Sequence, residues 1–305
     1  MFTTRKFSFG CVFLLLAALC FPPASTLAED SPRLPKVVAS STEGMIILPS
    51  GSVIVFAKSN DYGELGQGTI GKPPAAELGI PLPAVTGAVD GAVGGGSFLL
   101  LLADGTVMAW GKNSAGQLAL GINPKSGDNP SPVPRPTRVP FLVHVRQLAI
   151  SSSGTFALAL LEDGTVRSWG GASNGQLGLG SSLSKIPDTR GGTLAFKPQP
   201  IPGLAGVKSI AAGHDFALAL LGDGTVKAWG RNKDGQVGDE EISFSETPRT
   251  VPDIDSASAI SAGVDYALAL LRDGTVRVWG SGVSDGCMFA GARSPSIHKD
   301  TDAQW

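Results

Sequence analysis

The chain has 305 residues, of which 41 are Gly and 22 are Pro, while only 16% are charged. The formal net charge of −2 excludes a broad phosphate-binding surface, though not a local patch. Abundant Gly and Pro suit many short strands joined by tight turns.

In chain order, the first element is a leader. Arg5 and Lys6 precede an unbroken apolar run from Cys11 to Phe21, then Pro22-Pro23 and Thr26-Leu27-Ala28. Basic start, apolar run and small residues read as a secretory signal peptide over residues 1–28, cleaved after Ala28. The mature product is then secreted or periplasmic and carries no membrane segment; the run is short for a span. An uncleaved anchor is the alternative. Cys11 and Cys20 leave with the leader, so Cys287 becomes the sole mature thiol, read as incidental in a divergent tail. Residues 29–36 form an extended, Pro-containing lead-in.

Residues 37–286 repeat. The clearest copy is Phe216 to Gly238, FALALLGDGTVKAWGRNKDGQVG. Near-copies begin at Ser97, Phe156 and Tyr266, and a divergent one at Met45. Each has an apolar run, then Asp-Gly: Asp104-Gly105, Asp163-Gly164, Asp223-Gly224 and Asp273-Gly274, with Ser50-Gly51 in the first copy. Asp-Gly between apolar runs predicts a hairpin with a two-residue loop. The return strand ends in Trp-Gly: Trp110-Gly111, Trp169-Gly170, Trp229-Gly230 and Trp279-Gly280. Phe56 takes the ring position in the first copy. A large ring at one register predicts an anchor between neighbouring sheets, and Gly after it a close backbone approach. A polar turn and Gly-Gln-Leu/Val follow, as in Gly116-Gln117-Leu118. A further strand precedes each apolar run, and Pro-bearing connections such as Pro198 to Pro202 suit a fourth, outer strand. Three or four short antiparallel strands per ~50 residues make one propeller blade.

Between the copies, Gly91 to Gly96 reads as a blade-to-blade crossing. The insertions Asn123–Pro140, Ser181–Pro202 and Asp239–Pro252 are expected outside the strand ladders; the first offers a binding loop. Residues 287–305 are a divergent tail without strand pattern.

The combined pattern, over roughly Val37 to Gly286, resembles the regulator of chromosome condensation (RCC1-like) repeat family, of the secreted bacterial β-propeller type. The resemblance implies an all-β propeller of four-stranded blades, about seven in a closed ring. Only five units are legible here. The ring is open, closes with five blades, or belongs to a truncated product; the open arc is the reading adopted. Such an arc exposes two apolar faces, suited to partner binding or self-association. The family includes exchange factors for a nuclear-transport GTPase, a plant ultraviolet-B photoreceptor, modules of ubiquitin ligases and secreted β-lactamase inhibitors.

No catalytic constellation is legible. The three His residues, His144, His214 and His298, occupy different contexts. Zinc spacing, calcium loops, a phosphate loop and a nucleophile elbow are absent from the sequence. The expectation is a secreted, non-enzymatic scaffold with no cofactor or metal, binding a protein or surface macromolecule rather than nucleic acid. A secreted enzyme inhibitor is the alternative, and a propeller enzyme a third. No binding residue is assigned.

Overall fold

Apolar runs broken every few residues by Gly-bearing turns cannot sustain a helix, and the chain resolves them as short antiparallel strands. The computed structural model describes residues 34–71, 79–83, 85–121, 132–182, 186–187, 193–239 and 241–281. The leader, Cys287, His298 and the tail lie outside these residues. The compact unit starts at Leu34.

Five sheets follow in chain order. Blade one contains β1 (Lys36–Ala39), β2 (Glu43–Ile47), β3 (Val53–Ala57) and β4 (Ile80–Pro81). Blade two contains β5 (Ala88–Gly94), β6 (Ser97–Leu102), β7 (Val107–Gly111) and β8 (Val133–Arg138). Blade three contains β9 (Val145–Ile150), β10 (Phe156–Leu161), β11 (Val166–Gly171), the short β12 (Ile186–Pro187) and β13 (Thr193–Pro200). Blade four contains β14 (Val207–Ala212), β15 (Phe216–Leu221), β16 (Val226–Arg231) and β17 (Phe244–Thr250). Blade five contains β18 (Ala257–Ala262), β19 (Tyr266–Leu271) and β20 (Val276–Gly280). Among the described residues its sheet has three strands.

Three expectations are corrected. The hairpin loops have three residues, not two. Leu102 N–H donates to Thr106 at 2.9 Å and Gly105 N–H to Leu102 at 3.0 Å, with Gly105 at φ 75°. This is a turn followed by a bulged Gly, so the Gly closes the turn instead of sitting at its apex. Second, the insertions are not wholly outside the ladders: β8, β13 and β17 fall within them and pair with β7, β11 and β16. Their prolines are tolerated because β8 and β17 are edge strands, and β12 pairs β13 only at Thr193 and Leu194, leaving that side free beside Pro198 and Pro200. Third, Gly91 to Gly96 stays within blade two as the end of β5 and its turn into β6. It still serves contact between blades, since a Cβ on Gly94 would overlap the Ser151 carbonyl oxygen of blade three.

An apolar residue and a Pro follow each outer strand directly: Leu82-Pro83, Val139-Pro140, Ile201-Pro202 and Val251-Pro252. All four apolar residues are buried, and each N–H bonds the return strand's first carbonyl, as Val139 does to Val107 at 2.8 Å. The Pro then blocks further pairing and turns the chain towards the next blade.

Every interior sheet is apolar on both faces because it is covered on both. In blade four, Ala217, Ala219 and Trp229 pack back towards blade three. Phe216, Leu218, Leu220, Val226 and Ala228 pack forward onto blade five. Among the described residues the substantial strand packing between blades joins consecutive blades. Among the described residues the blades form an open arc.

Candidate functional site

The two ends of the arc are built differently. At one end, three Asp-Gly turns are stitched to the first strand of the next blade: Val145 N–H to Gly105, Val207 to Gly164 and Ala257 to Gly224, all at 3.0 Å. Thr106 donates its hydroxyl to Asp104 Oδ1 at 2.7 Å and its amide at 3.0 Å. Thr165 and Thr275 repeat both bonds on Asp163 and Asp273, and Thr225 repeats the amide bond on Asp223. The Thr side-chain bond, then its backbone bond, lowers the carboxyl pKa of Asp104, Asp163 and Asp273; for Asp223 the backbone bond leads. These four carboxylates are turn fasteners.

At the other end, the turns between first and second strands lie beside the polar turns after Trp-Gly. Lys112 N–H donates to Gly96 at 2.8 Å and Arg231 N–H to Asp215 at 2.9 Å. Gln117, Gln176 and Gln236 are buried within these polar turns, each side-chain oxygen accepting the amide two residues before it, at 2.7 to 3.0 Å. That holds the Gln backbone carbonyl towards the neighbouring blade. There the indole N–H of the next Trp finds it: Trp169 to Gln117 at 2.8 Å, Trp229 to Gln176 at 2.9 Å and Trp279 to Gln236 at 2.9 Å. Trp110 bonds Glu64, the first copy's counterpart of Gln, at 2.9 Å. All four indoles are buried. The Trp residues are therefore latches between blades and unavailable to a ligand.

Beside the exposed Val264, this frame leaves a set of half-buried polar side chains within reach of solvent. Arg231 lies 3.4 Å from Asp265 of blade five and 3.7 Å from Asp234. Gln236 also donates to Asp265 at 3.2 Å, and Asn174 to Asp215 at 3.3 Å. Ser153 donates to the His214 carbonyl at 3.2 Å, and the His214 amide to Val264 at 2.9 Å. His214 Nδ1 sits 3.2 Å from Asp215 Oδ2 without hydrogen-bond alignment. Lys112 lies over the Tyr62 ring, 5.4 Å from its centroid. The arrangement can offer paired charges and hydroxyls to a partner surface.

His144 is elsewhere, at the Asp-Gly end, 3.5 Å from Glu162 with both side chains largely exposed. The structure thus separates His144 from His214. Among the described residues no group of three His, Cys, Asp or Glu is placed to hold a metal. The binding loop expected at Asn123–Pro140 is described only from Pro132, where it becomes β8 and its connection. Sequence reasoning missed Asp215, Arg231 and Asp265. Their signal is two variable repeat positions: the one before the second strand, Gly96, Thr155, Asp215 and Asp265, and the one after Trp-Gly, Lys112, Gly171, Arg231 and Ser281.

The Regulator of chromosome condensation (RCC1) repeat matches in one form at residues 88–117, 148–176, 207–236 and 257–287. In another form it matches at 104–160, 163–220 and 223–270. The chain is 32% identical over 211 residues to the RCC1 domain-containing protein RUG3, mitochondrial, of Arabidopsis thaliana, covering 68% of this chain and 44% of that protein. It is 30% identical over 224 residues to Protein pim1 of Schizosaccharomyces pombe, covering 69% and 41%. The chain thus spans less than half the length of these relatives. Among solved structures, human WBSCR16 superposes with a TM-score of 0.65 at 22% identity, over 80% of this chain and 61% of that one. Yeast RCC1 (Prp20), bound to Kap60, superposes with a TM-score of 0.63 at 22% identity, over 80% and 55%. These likenesses establish the fold, and with the repeat matches they identify the chain as a member of the RCC1 repeat family.

Proposed function

We propose that this chain is an exported, non-catalytic propeller that binds a protein through the polar turn face carrying Ser153, His214, Asp215, Arg231 and Asp265. The observation that carries the reading is the coexistence of half-buried, solvent-reachable charge with a backbone fixed by bonds between blades. Binding residues on preformed turns lose little conformational entropy on association. Yeast Prp20 has been crystallised with Kap60 and studied for binding to Gsp1p and histones, which supports a protein partner for this scaffold. The non-catalytic reading rests on His144 and His214 lying at opposite ends, and the preference for protein over nucleic acid on the net charge of −2. Export rests on the basic, apolar and small-residue order of residues 1–28.

Two measurements test this. Affinity capture from the extracellular fraction, using the purified chain, should recover a saturable partner. Arg231→Glu with Asp265→Arg should lose that partner at unchanged thermal midpoint. Retained capture by that variant, or no saturable partner for the parent chain, overturns the proposed face. N-terminal sequencing of exported protein should begin at Glu29; a product retaining the leader in the cytosol overturns export.

A further inference from the structure

Connections of equal length carry the chain from each outer strand to the first strand of the next blade, over residues 83–88, 140–145, 202–207 and 252–257. Each ends at the Asp-Gly end, or at its Ser50-Gly51 counterpart, where its last amide bonds the turn of the preceding blade. The third and sixth residues of each are buried, as Leu142 and Val145 are, and the described residues between them lie at or near the surface. The connection between blades three and four fills its surface positions with Gly203, Ala205 and Gly206, and that between four and five with Asp253, Asp255 and Ser256. The connection between blades two and three puts Phe141, Val143 and His144 there instead. Phe141 is 63% exposed and Val143 51% exposed, and the His144 side chain is largely exposed.

Two of these residues stand in backbone conformations that oppose their side chains. Phe141 has φ 71° and His144 φ 56°, where the next connection has Gly203 at 69° and Gly206 at 67°. In this left-handed region a Cβ crowds the backbone, and a bulky residue there is an outlier. The exposed Phe141 ring gains little burial in return. Strain held in an exposed apolar connection points to a use outside the fold. Beside the ring, the exposed Lys197 of β13 holds its ammonium 4.9 Å from the ring centroid. Among the described residues no carboxylate lies in ion-pair range of that ammonium.

We infer that the connection carrying Phe141 and Val143, with Lys197 beside it, is a docking site for a protein that offers an apolar pocket with a carboxylate at its rim. Phe141 and Val143 enter the pocket, as buried anchors do at the centre of an interface, and the carboxylate meets Lys197. A lipid surface is the poorer fit. Two side chains bury too little apolar area to hold a chain there, since even one whole fatty acyl chain binds only marginally. Glu162, 3.5 Å from His144, also sets a negative charge beside the connection. The site lies at the opposite end of the blades from the polar turn face and is separate from it.

The test places a photocrosslinker in the connection. Phe141→p-benzoylphenylalanine in the full chain, irradiated in the cell fraction that holds the chain, labels one protein, and the same group at Thr86 does not label it. Excess parent chain abolishes the label. Phe141→Gly, Val143→Ser and Lys197→Glu, each with an unchanged β-sheet circular dichroism spectrum, compete roughly tenfold more weakly than the parent. Arg231→Glu with Asp265→Arg competes as the parent does, so loss of the polar turn face leaves this site intact. Phe141→Gly also keeps or raises the urea midpoint, because glycine adopts this φ freely. A lowered midpoint assigns the ring to packing within the chain and overturns the proposal. Absence of a labelled protein overturns it, and so does a label for which the three single variants compete as well as the parent, or one for which the double variant competes weakly. Cosedimentation of the parent chain with phosphatidylcholine–phosphatidylglycerol vesicles, lost in Phe141→Gly, overturns it in favour of a membrane surface.

Discussion

Trp169 illustrates how much one residue does in this repeat. Its ring fills the space between blades two and three while its N–H satisfies the Gln117 carbonyl at 2.8 Å. Trp169→Phe keeps most of the ring and strands that buried carbonyl, which should cost ~1–3 kcal/mol in urea unfolding. Trp169→Ala also opens a cavity and should cost ~3–5 kcal/mol. Gly230, at φ 100°, follows the next latch, and a Cβ there would overlap the Asp215 carbonyl oxygen. Gly230→Ala should therefore destabilise by more than ~1 kcal/mol, the usual cost of that backbone region alone. The turn carboxylates make a pH prediction. Asp104, Asp163, Asp223 and Asp273 titrate below the usual aspartate range because Thr donates to the charged form. A depressed folded-state pKa adds stability above the unfolded-state pKa, and that stability disappears as pH falls through the folded value. Replacing all four by Asn should flatten the urea midpoint's dependence on pH below about pH 4.

At the scale of the element, the outer strands show how an insertion becomes structure. Ile201 is buried just after β13 and packs in the cluster between blades three and four. Ile201→Ala should cost ~2–5 kcal/mol, read as a lowered urea midpoint. The Pro residues pointed to outer strands in these connections, since Pro is tolerated where one side of the ladder is free, but periodicity did not give the strands' bounds or partners. The recurring apolar-Pro pair was the available signal, and it marks the end of each outer strand.

At the largest scale, the described blades pack mainly on their sequence neighbours, and such a stack should lose cooperativity towards its first and last blades. Amide exchange should be slowest in β10, β11, β15 and β16, whose sheets are covered on both faces. It should be fastest in β1 and β20, at the arc's ends. Uniform protection from β1 to β20 would contradict that ordering.

The amino-acid sequence by itself determined the repeat, the strand-turn-strand unit and the Trp position, because those depend on alternation and turn chemistry over a few residues. Trp110, Trp169, Trp229 and Trp279 could be named without coordinates as anchors of neighbouring sheets. Their acceptors were decided only by tertiary structure, since a bond from Trp169 to Gln117 joins residues in different blades. The same holds for the turn face. Arg231 and Asp265 meet because stacking brings two turns side by side, and no local pattern encodes that meeting.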